Sequence, residues 1–201
     1  MTVIDPEEWL GKLGSVGRAV LEKIHICDED GSELPAGQTG TIYFERDKMP
    51  FVYHDEPEKT RAAQHPAHPY WTTVGDIGHV DADGYLFLTD RKAFKIISGG
   101  VNIYPQEIEN LLVLHPAIAD AAVIGIPDPD MGEQVRAIVQ LLPGTEGSEN
   151  LAKEIIAFVK NRIAGYKAPG SIDFVHEVPR SQTGKLMKQV FRNRYWSEKA
   201  A

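Results

Sequence analysis

The sequence predicts an α+β protein in two parts, and three observations support this prediction. Residues 1–91 contain short apolar runs separated by turn residues, a pattern typical of antiparallel strands. From residue 92 onward, helical and strand-like patterns alternate, which favours a compact α+β unit. This second part, 92–201, has about a hundred residues, a usual size for one domain. We therefore expect a β-rich subdomain over 1–91, followed by a compact α+β domain over 92–201.

Turn residues delimit the strands expected in the first part. Asp-Gly pairs at 30–31 and 83–84 are typical of tight turns, because glycine adopts backbone angles that other residues avoid. The expected strands are Arg18–Cys27, Gly40–Phe44, Gly78–Val80 and Tyr85–Leu88. A capped helical turn is expected at Asp5 and Pro6, and a second short helix over 56–64.

The second part carries helix-start signals. Pro105 predicts a helix with Glu107 and Glu109 in its first turn, where the helix dipole favours acids. Ser148 predicts the start of another helix, which Gly165 is expected to end. The apolar face of that helix comprises Leu151, Ile155, Phe158, Val159 and Ile163. Strands are expected at 121–126, 134–142 and 172–175, and a final basic helix at 186–196.

Composition excludes several classes of protein. The chain has 201 residues, is 42% hydrophobic and carries a formal net charge of −8, which argues against a nucleic-acid partner. Cys27 is its single cysteine, so neither a disulfide framework nor a cysteine-rich zinc site is expected. No apolar run approaches the roughly 18 residues of a transmembrane segment. We expect a cytoplasmic protein.

The first segment with chemical potential is Thr72-Thr73-Val74-Gly75-Asp76. A carboxylate that follows a glycine at the mouth of a strand can accept hydrogen bonds from two neighbouring hydroxyls, such as those of a ribose. On these residues alone, a simple turn remains the commoner interpretation of Gly75-Asp76.

The second segment runs from Asp90 to Pro105. Arg91 offers a forked donor for ribose or phosphate oxygens, although a solvated surface arginine is the commoner case. Gly99 and Gly100 allow a ligand or another chain to approach the backbone closely. They do not form the spaced glycine fingerprint of a dinucleotide fold.

The third segment, Pro179-Arg180-Ser181-Gln182-Thr183-Gly184-Lys185, is a polar loop that delivers one lysine before a helix. It is not a Walker A loop, because Pro179 stands where that motif has glycine and Leu186 where it has serine or threonine. Alone, the loop is equally consistent with a surface turn.

The order of these three segments in one chain favours functional sites over simple surface turns. The runs T-V-G-D, D-R-K, S-G-G-V-N-I-Y-P-Q-E-I-E and P-R-S-Q-T-G-K resemble the adenylate-forming superfamily of acyl-CoA synthetases, luciferases and peptide-synthetase adenylation domains. They look most like medium- and long-chain acyl-CoA synthetases. The resemblance covers nearly the whole chain.

The resemblance implies an enzyme that joins a carboxylic acid to AMP and then transfers the acyl group to CoA. Residues 1–91 would end a large N-terminal domain, and 92–201 would form its mobile C-terminal lid. Asp76 would bind the ribose hydroxyls with support from Arg91. Lys185 would be the catalytic lysine of adenylation, because an ammonium stabilises the negative charges that meet at the α-phosphate.

The same resemblance implies a CoA site and a hinge. Ser98, Gly99 and Gly100 match the strand that the lid presents to the pantetheine arm, and Tyr166 matches an aromatic residue near the CoA adenine. The hinge would comprise Lys92 and Ala93, with Ala93 replacing the usual Lys or Asp. Gly170 stands where relatives often have arginine, which would weaken contact with a CoA phosphate.

The family's phosphate loop and its magnesium-binding and fatty-acid-binding segments have no counterpart in this sequence. The resemblance therefore implies that ATP or AMP, Mg and the fatty acid are bound with the help of a missing N-terminal region. We expect no adenylation by this chain alone, and no metal ligands within it.

Two other interpretations remain open at this point. The chain fits a separately encoded, non-catalytic binding or regulatory module that pairs with a partner carrying the phosphate loop; the apolar surface exposed by residues 1–91 is the feature that discriminates. A metal site at His54, His65 and His68 is the other, although an exposed proline-rich loop explains these residues more simply.

Overall fold

The computed structural model describes residues 1–197 and divides the chain into two compact units. The first unit spans Met1–Ala93, and the second begins at Phe94. Across residues 1–197, no helix combines the length and the apolar character needed to cross a bilayer.

The first unit is mainly antiparallel sheet. Its elements are β1 (Thr2–Val3), α1 (Pro6–Gly11), β2 (Arg18–Ala19), β3 (Lys23–Cys27), β4 (Gly40–Glu45), α2 (Pro57–Ala62), β5 (Trp71–Thr72), β6 (Asp76–Val80) and β7 (Leu86–Arg91). Strands β3, β4, β6 and β7 form one sheet in that order, and β5 pairs with β4 beside β6. Strands β1 and β2 form a separate two-stranded sheet.

The core of the first unit is small. It centres on Ile26 of β3, Ile42 of β4 and Leu86 of β7, which are almost fully buried. Partly buried residues surround this centre, namely Val16, Ile24, Leu34, Phe44 and Val80. Burial does not alternate along β4, because Thr41 and Tyr43 are buried as well as Ile42. Since successive side chains of a strand point to opposite faces, both faces of β4 are covered in this unit.

Two details of the first unit differ from the sequence prediction. The strand expected over Arg18–Cys27 is interrupted between Ala19 and Lys23, where Val20 and Leu21 are exposed. Because β2 pairs with β1 and β3 pairs with β4, the two halves of this run belong to different sheets. The side chain of Asp5 makes no capping hydrogen bond to α1.

The second unit places helices on both faces of a mixed sheet. Its elements are β8 (Ile96–Ser98), β9 (Val101–Ile103), α3 (Pro105–Leu112), β10 (Ile118–Asp128), β11 (Gly132–Leu141), α4 (Glu149–Lys160), β12 (Ser171–Val175) and α5 (Lys188–Ser197). The strand order is β10, β11, β8 and β9, and β12 runs parallel to β11.

Alternation along β10 separates two cores. Ala121 and Val123 belong to the larger cluster, which includes buried residues of α3 and α4. Ala122 and Ile124 belong to the smaller cluster, against which Phe191 of α5 packs. Since successive side chains of a strand point to opposite faces, α3 and α4 cover one face of β10 while α5 covers the other.

The starts of α3 and α4 follow the sequence signals closely. Pro105 lies at the start of α3, and Oγ of Ser148 accepts a hydrogen bond from the backbone N–H of Leu151 at 3.2 Å. This contact satisfies one of the free N–H groups at the start of α4. The predicted capping role of Ser148 is therefore confirmed.

Two helix boundaries were predicted wrongly. Helix α4 ends at Lys160 with Asn161 as its C-cap, whereas Gly165 lies in a separate 3-10 turn, Gly165–Lys167. Helix α5 begins at Lys188 rather than Leu186, because Leu186 forms a β-bridge with Arg180.

Candidate functional site

Asp76 and Arg91 are neighbours in the first unit. Asp76 begins β6, Arg91 ends β7, and the two residues are register partners in the antiparallel ladder. Nε of Arg91 lies 3.2 Å from Oδ1 of Asp76, and both side chains retain solvent exposure. The two side chains that the sequence assigns to a nucleotide therefore lie side by side.

A hydrogen-bonded turn precedes Asp76. Oγ1 of Thr73 accepts a hydrogen bond of 3.0 Å from the backbone N–H of Gly75, which has a φ of +82°. The carbonyl of Gly75 accepts a 2.8 Å hydrogen bond from the backbone N–H of Lys92. These contacts hold the backbone immediately before Asp76 in place.

The expected hinge residues lie in a single short turn. Lys92 and Ala93 are exposed and belong to the 3-10 turn Lys92–Phe94. The division between the two compact units falls directly after Ala93. Domain rotations are usually absorbed by a few residues at the ends of such elements. Lys92 and Ala93 lie at a position of this kind, and their role as a hinge stays a prediction.

Gly99 and Gly100 form the turn of a tight hairpin. Strand β8 ends at Ser98, β9 begins at Val101, and these two residues are register partners. Gly99 has a φ of +56° and Gly100 a φ of +79°. Two-residue hairpin turns with positive φ at both central positions strongly favour glycine. The hairpin geometry therefore accounts for both glycines without a bound pantetheine chain.

Ser98 and Tyr166 line one groove of the second unit, with a volume of about 230 Å³. Tyr166 lies in the 3-10 turn and is 60% exposed. Gly170 also lines the groove, and a Cβ atom added there would lie 2.9 Å from Cδ of Gln134. Because Gln134 is a flexible side chain, a larger residue at position 170 would require only that it move aside.

Lys185 lies in an ordered loop of the second unit. A β-bridge between Arg180 and Leu186 closes the loop, and Gly184 reverses the chain with a φ of +77°. The backbone N–H of Ser181 donates to the carbonyl of Lys185 at 2.8 Å, and Oγ of Ser181 accepts from the N–H of Lys185 at 3.1 Å. The side chain of Lys185 is exposed. The loop thus fixes the backbone and leaves the lysine side chain accessible to a ligand.

A second groove contains Lys185. It has a volume of about 300 Å³ and includes Gln106 and Asn110 of α3 in its lining. The groove that contains Ser98 and Tyr166 shares none of its lining residues. The second unit therefore carries two separate surfaces, each with one of the sequence-predicted segments.

Arg180 falls in the predicted lysine loop and Glu109 in the predicted first turn of α3, but the sequence indicated neither as an anchor of the loop. Of the two acids predicted in that first turn, only Glu107 lies there. Arg180 makes a forked ion pair with Asp120, and Lys188 pairs with Glu109. A signal for Glu109 was available, because it occupies the buried stripe of α3 together with Ile108 and Leu112. An acid on the apolar face of a helix requires a buried partner.

The histidine cluster does not form a metal site. Nε2 of His65 lies 2.8 Å from the carbonyl oxygen of Gly31, and Nδ1 accepts from the N–H groups of Ala67 and His68. Both ring nitrogens of His65 are therefore occupied by backbone groups. Across the part of the chain that the structure describes, no group of three or more His, Cys, Asp or Glu is arranged to hold a metal ion.

A family model matches part of the second unit. Residues 107–185 match the family model of the AMP-binding enzyme C-terminal domain. The match begins within α3 and ends at Lys185.

Two curated relatives illustrate the wider similarity. The chain is 36% identical over 195 residues to a long-chain-fatty-acid–CoA ligase of Mycobacterium tuberculosis, covering 96% of this chain and 37% of the relative. It is 36% identical over 175 residues to a fatty acid–[acyl-carrier-protein] ligase of Streptomyces coeruleorubidus, covering 87% of this chain and 33% of the relative. The chain thus spans about a third of the length of these relatives.

A solved structure shares the fold. The o-succinylbenzoate CoA synthetase of Bacillus subtilis, in complex with the acyl-adenylate intermediate, superposes with a TM-score of 0.80 at 31% identity. The match covers 96% of this chain and 37% of that enzyme. The α+β architecture that the sequence predicted is therefore confirmed, and it matches the corresponding third of that synthetase.

Proposed function

We propose, from the match of residues 107–185 to the AMP-binding enzyme C-terminal domain, that the chain is the C-terminal part of an AMP-forming fatty-acid–CoA ligase. In the first step a carboxylate oxygen attacks the α-phosphorus of ATP, and pyrophosphate leaves. In the second step the sulfur of CoA attacks the acyl carbon, AMP leaves, and the thiol proton is released. The two fatty-acid ligases among the relatives support the choice of substrate class.

The observation that carries this proposal is the presence of two separate grooves on one compact unit. One contains Lys185, and the other contains Ser98 and Tyr166. A reaction with two successive steps needs different groups at the reacting atoms in each step. A lid that turns one groove and then the other toward the substrate meets that need.

In this proposal Asp76 and Arg91 hold the ribose of ATP. The carboxylate of Asp76 accepts hydrogen bonds from the ribose hydroxyls. These hydrogen bonds are stronger than those between neutral groups, because the carboxylate is charged. Arg91 contacts Oδ1 of Asp76 and limits the rotation of that carboxylate. Arg91 also adds positive charge beside the phosphates.

Lys185 acts in the first step. The attacking carboxylate and the α-phosphate are both negative, so their approach is opposed by charge repulsion. The exposed ammonium of Lys185 is proposed to move between them when the lid closes, where desolvation strengthens its interaction with both. Removing such a contact typically slows a reaction by about a hundredfold to a thousandfold.

The second step uses the other groove. We assign the pantetheine path to the hairpin of Ser98, Gly99 and Gly100, and the adenine contact to Tyr166, whose exposed ring offers a stacking surface. Rotation at Lys92 and Ala93 would turn the Lys185 groove away from the substrate and bring the groove of Ser98 and Tyr166 to it. The resemblance to the adenylate-forming superfamily supports this rotation.

The remaining chemistry is assigned to a region outside this chain. Phosphate binding, magnesium and the fatty-acid pocket require that region, and no residue of this chain is proposed as a magnesium ligand. Helix α1 supports this division, because it buries none of its residues and exposes Leu10 to 72% and Trp9 to 42%. An apolar helix face of this kind is suited to packing against a further part of the enzyme.

We place the reaction in the cytoplasm, whose reducing conditions suit the free thiol of Cys27.

The proposal is tested by ATP–pyrophosphate exchange with magnesium and a series of short to long fatty acids. The purified chain is assayed alone, and again after addition of the N-terminal region of a related ligase. We expect no exchange by the chain alone and exchange when the N-terminal region is present. The rate of acyl transfer to CoA is then compared with the rate of transfer to an acyl carrier protein, starting from the same acyl-adenylate.

Each outcome has a clear meaning. Exchange by the chain alone would contradict the assignment of the phosphate site to another region. Binding of the N-terminal region without any exchange, for every acid tested, would favour the non-catalytic module. Faster transfer to the carrier protein than to CoA would overturn the choice of acceptor but not the adenylation step.

A further inference from the structure

A buried ion pair lies directly behind the lysine loop. Nζ of Lys188 is 2.9 Å from Oε1 of Glu109, and the two side chains are only 6% and 5% exposed. Lys188 is the first residue of α5, three positions after Lys185, and Glu109 lies in α3. The pair therefore ties the end of the loop to a helix on the other face of the sheet.

Glu109 connects a third element. Its Oε1 also accepts a 2.7 Å hydrogen bond from the backbone N–H of Val123 in β10. The ammonium of Lys188 lies 5.3 Å from the centre of the Phe94 ring, within the range of a cation–π contact. Thus α3, β10 and α5 meet at one charged centre.

Stability alone is a weak explanation for such a pair. Removing two charges from water costs about as much as their attraction returns, so buried ion pairs often contribute little net stability. Loss of one partner is costly, however, because the other is left buried without a counter-charge. The pair instead restricts the position of Lys188, because its buried ammonium must stay next to the carboxylate of Glu109.

The other end of the loop is also anchored to β10. Arg180 donates from Nε and Nη2 to the two carboxylate oxygens of Asp120, both at 2.8 Å, and from Nη1 to the carbonyl of Gly184 at 2.8 Å. A forked contact of this kind fixes orientation as well as distance. The loop from Arg180 to Lys188 is thereby held at both ends.

We propose that Glu109 and Lys188, assisted by Asp120 and Arg180, are positioning residues that hold the loop in the geometry in which Lys185 serves adenylation. This inference rests on the proposed function of Lys185. Glu109, Asp120 and Arg180 line the same groove as Lys185, and the role proposed for them acts through the loop rather than through contact with the substrate. A lysine held within a fraction of an ångström supports catalysis, whereas displacement by about 1 Å can cost a hundredfold in rate.

The first test measures the loop in the 201-residue chain itself. Native-state hydrogen exchange is followed at the amides of Ser181, Gly184 and Lys185, which are hydrogen-bonded within the loop. Glu109→Gln retains an acceptor for the N–H of Val123 but removes the charge, and Lys188→Met retains the aliphatic stem. We expect each variant to raise exchange in the loop by roughly tenfold or more while central β10–β11 amides change much less.

Matched controls separate this effect from a general loss of charge. Glu154→Gln and Lys153→Met alter exposed residues of α4 and should leave loop exchange unchanged. The double variant of Glu109→Gln with Lys188→Met leaves no unpaired charge and should recover much of the fold's stability. If a single variant fails to fold, the double variant and the more exposed Asp120→Asn provide the comparison.

The second test uses the enzyme reconstituted with an N-terminal region. Glu109→Gln should lower kcat for adenylation by roughly tenfold to a hundredfold, with little change in KM for ATP. Thioester formation from supplied acyl-adenylate should be unchanged, because Lys185 does not act there. Lys188→Arg should retain more activity than Lys188→Met.

The outcomes distinguish this inference from the proposed function. Unchanged loop exchange in both single variants would overturn the anchoring, whatever the activity. Increased exchange with unchanged adenylation, or equal losses in both half-reactions, would overturn the positioning role. Absence of adenylation in the wild-type reconstitution would instead refute the proposed function, while the exchange result would still decide the anchoring.

Discussion

Arg91 and Asp76 are paired across the last rung of β6 and β7, with Nε of Arg91 3.2 Å from Oδ1 of Asp76. The antiparallel register brings together two residues that are separated by a turn and most of two strands. Because the pair is partly exposed, its contribution to folding is small, at most about 1 kcal/mol. Under the proposed function, the pair orients the Asp76 carboxylate toward the ribose hydroxyls.

Replacement of Asp76 by alanine should raise KM for ATP by roughly tenfold or more in the reconstituted exchange assay. The reason is the loss of charge-assisted hydrogen bonds to the ribose, each worth about 1.5 to 3 kcal/mol. Asp30→Ala, in an exposed turn, is the control and should behave as wild type. A KM for ATP within twofold of wild type in Asp76→Ala would contradict the ribose assignment.

Replacement of Lys185 by alanine should slow adenylation by about a hundredfold or more and leave thioester formation from supplied acyl-adenylate unaffected. Under the proposed function, the variant removes charge stabilisation that exists only in the first transition state. Single-turnover measurements of the two half-reactions check this, with Lys153→Ala as the surface control. Equal losses in the two half-reactions would show that Lys185 acts otherwise.

Alanine at Gly99 or Gly100 should destabilise the second unit, because both positions have positive φ. For an ordinary residue such a conformation costs roughly 1 to 2 kcal/mol. The two variants should lose similar amounts of stability, because the new Cβ at Gly99 would meet Cε of Met131 at 3.1 Å, the far end of a flexible exposed side chain, and the Cβ at Gly100 meets nothing within 4 Å. Urea unfolding measures both free energies.

Gly165→Ala is the matched control for the hairpin glycines. A Cβ at Gly165 meets no atom within 4 Å, and its φ is not in the left-handed region. Its free energy of unfolding should therefore stay within about 0.5 kcal/mol of wild type. Equal stability of Gly100→Ala and Gly165→Ala would show that the hairpin turn is not as described.

The thiol of Cys27 should react slowly in the folded chain. Burial, together with the nearby charges of Glu33 and Asp28, raises the pKa of this thiol to about 11 from an ordinary value of 9.0. Little thiolate is present at pH 8, and the side chain is fully buried. Thiol labelling at pH 8 should therefore be slow in buffer and fast in denaturing urea.

The same shift in pKa makes stability depend on pH at the alkaline end. Because the folded state raises the pKa, the contribution of Cys27 is fully present below pH 9 and is lost as the pH rises through about 11. Tyr43, whose pKa is also raised by burial, acts in the same direction. The free energy of unfolding should fall less steeply with pH in Cys27→Ala than in wild type. An identical slope in the two proteins would contradict the shift.

Local signals in the sequence were sufficient for most of the secondary structure. Pro105 and Ser148 mark helix starts through their own backbone and side-chain chemistry, so the structure agrees at both. The end of α4 was missed because Gly165 is a generic stop signal, whereas Asn161 ends the helix four residues earlier. The break after Ala19 was missed because it depends on which strands pair.

The sequence by itself determined the class of fold, the order of the chemical segments and the identity of their residues. Each of these depends on residues that are adjacent along the chain. Only the tertiary structure decided that Asp76 meets Arg91, and that Ser98 and Tyr166 share a groove apart from Lys185. It also revealed the buried contact between Glu109 of α3 and Lys188 of α5. The physical reason is that strand pairing and core packing join distant segments, and no local pattern of residues specifies which distant charge will be the partner.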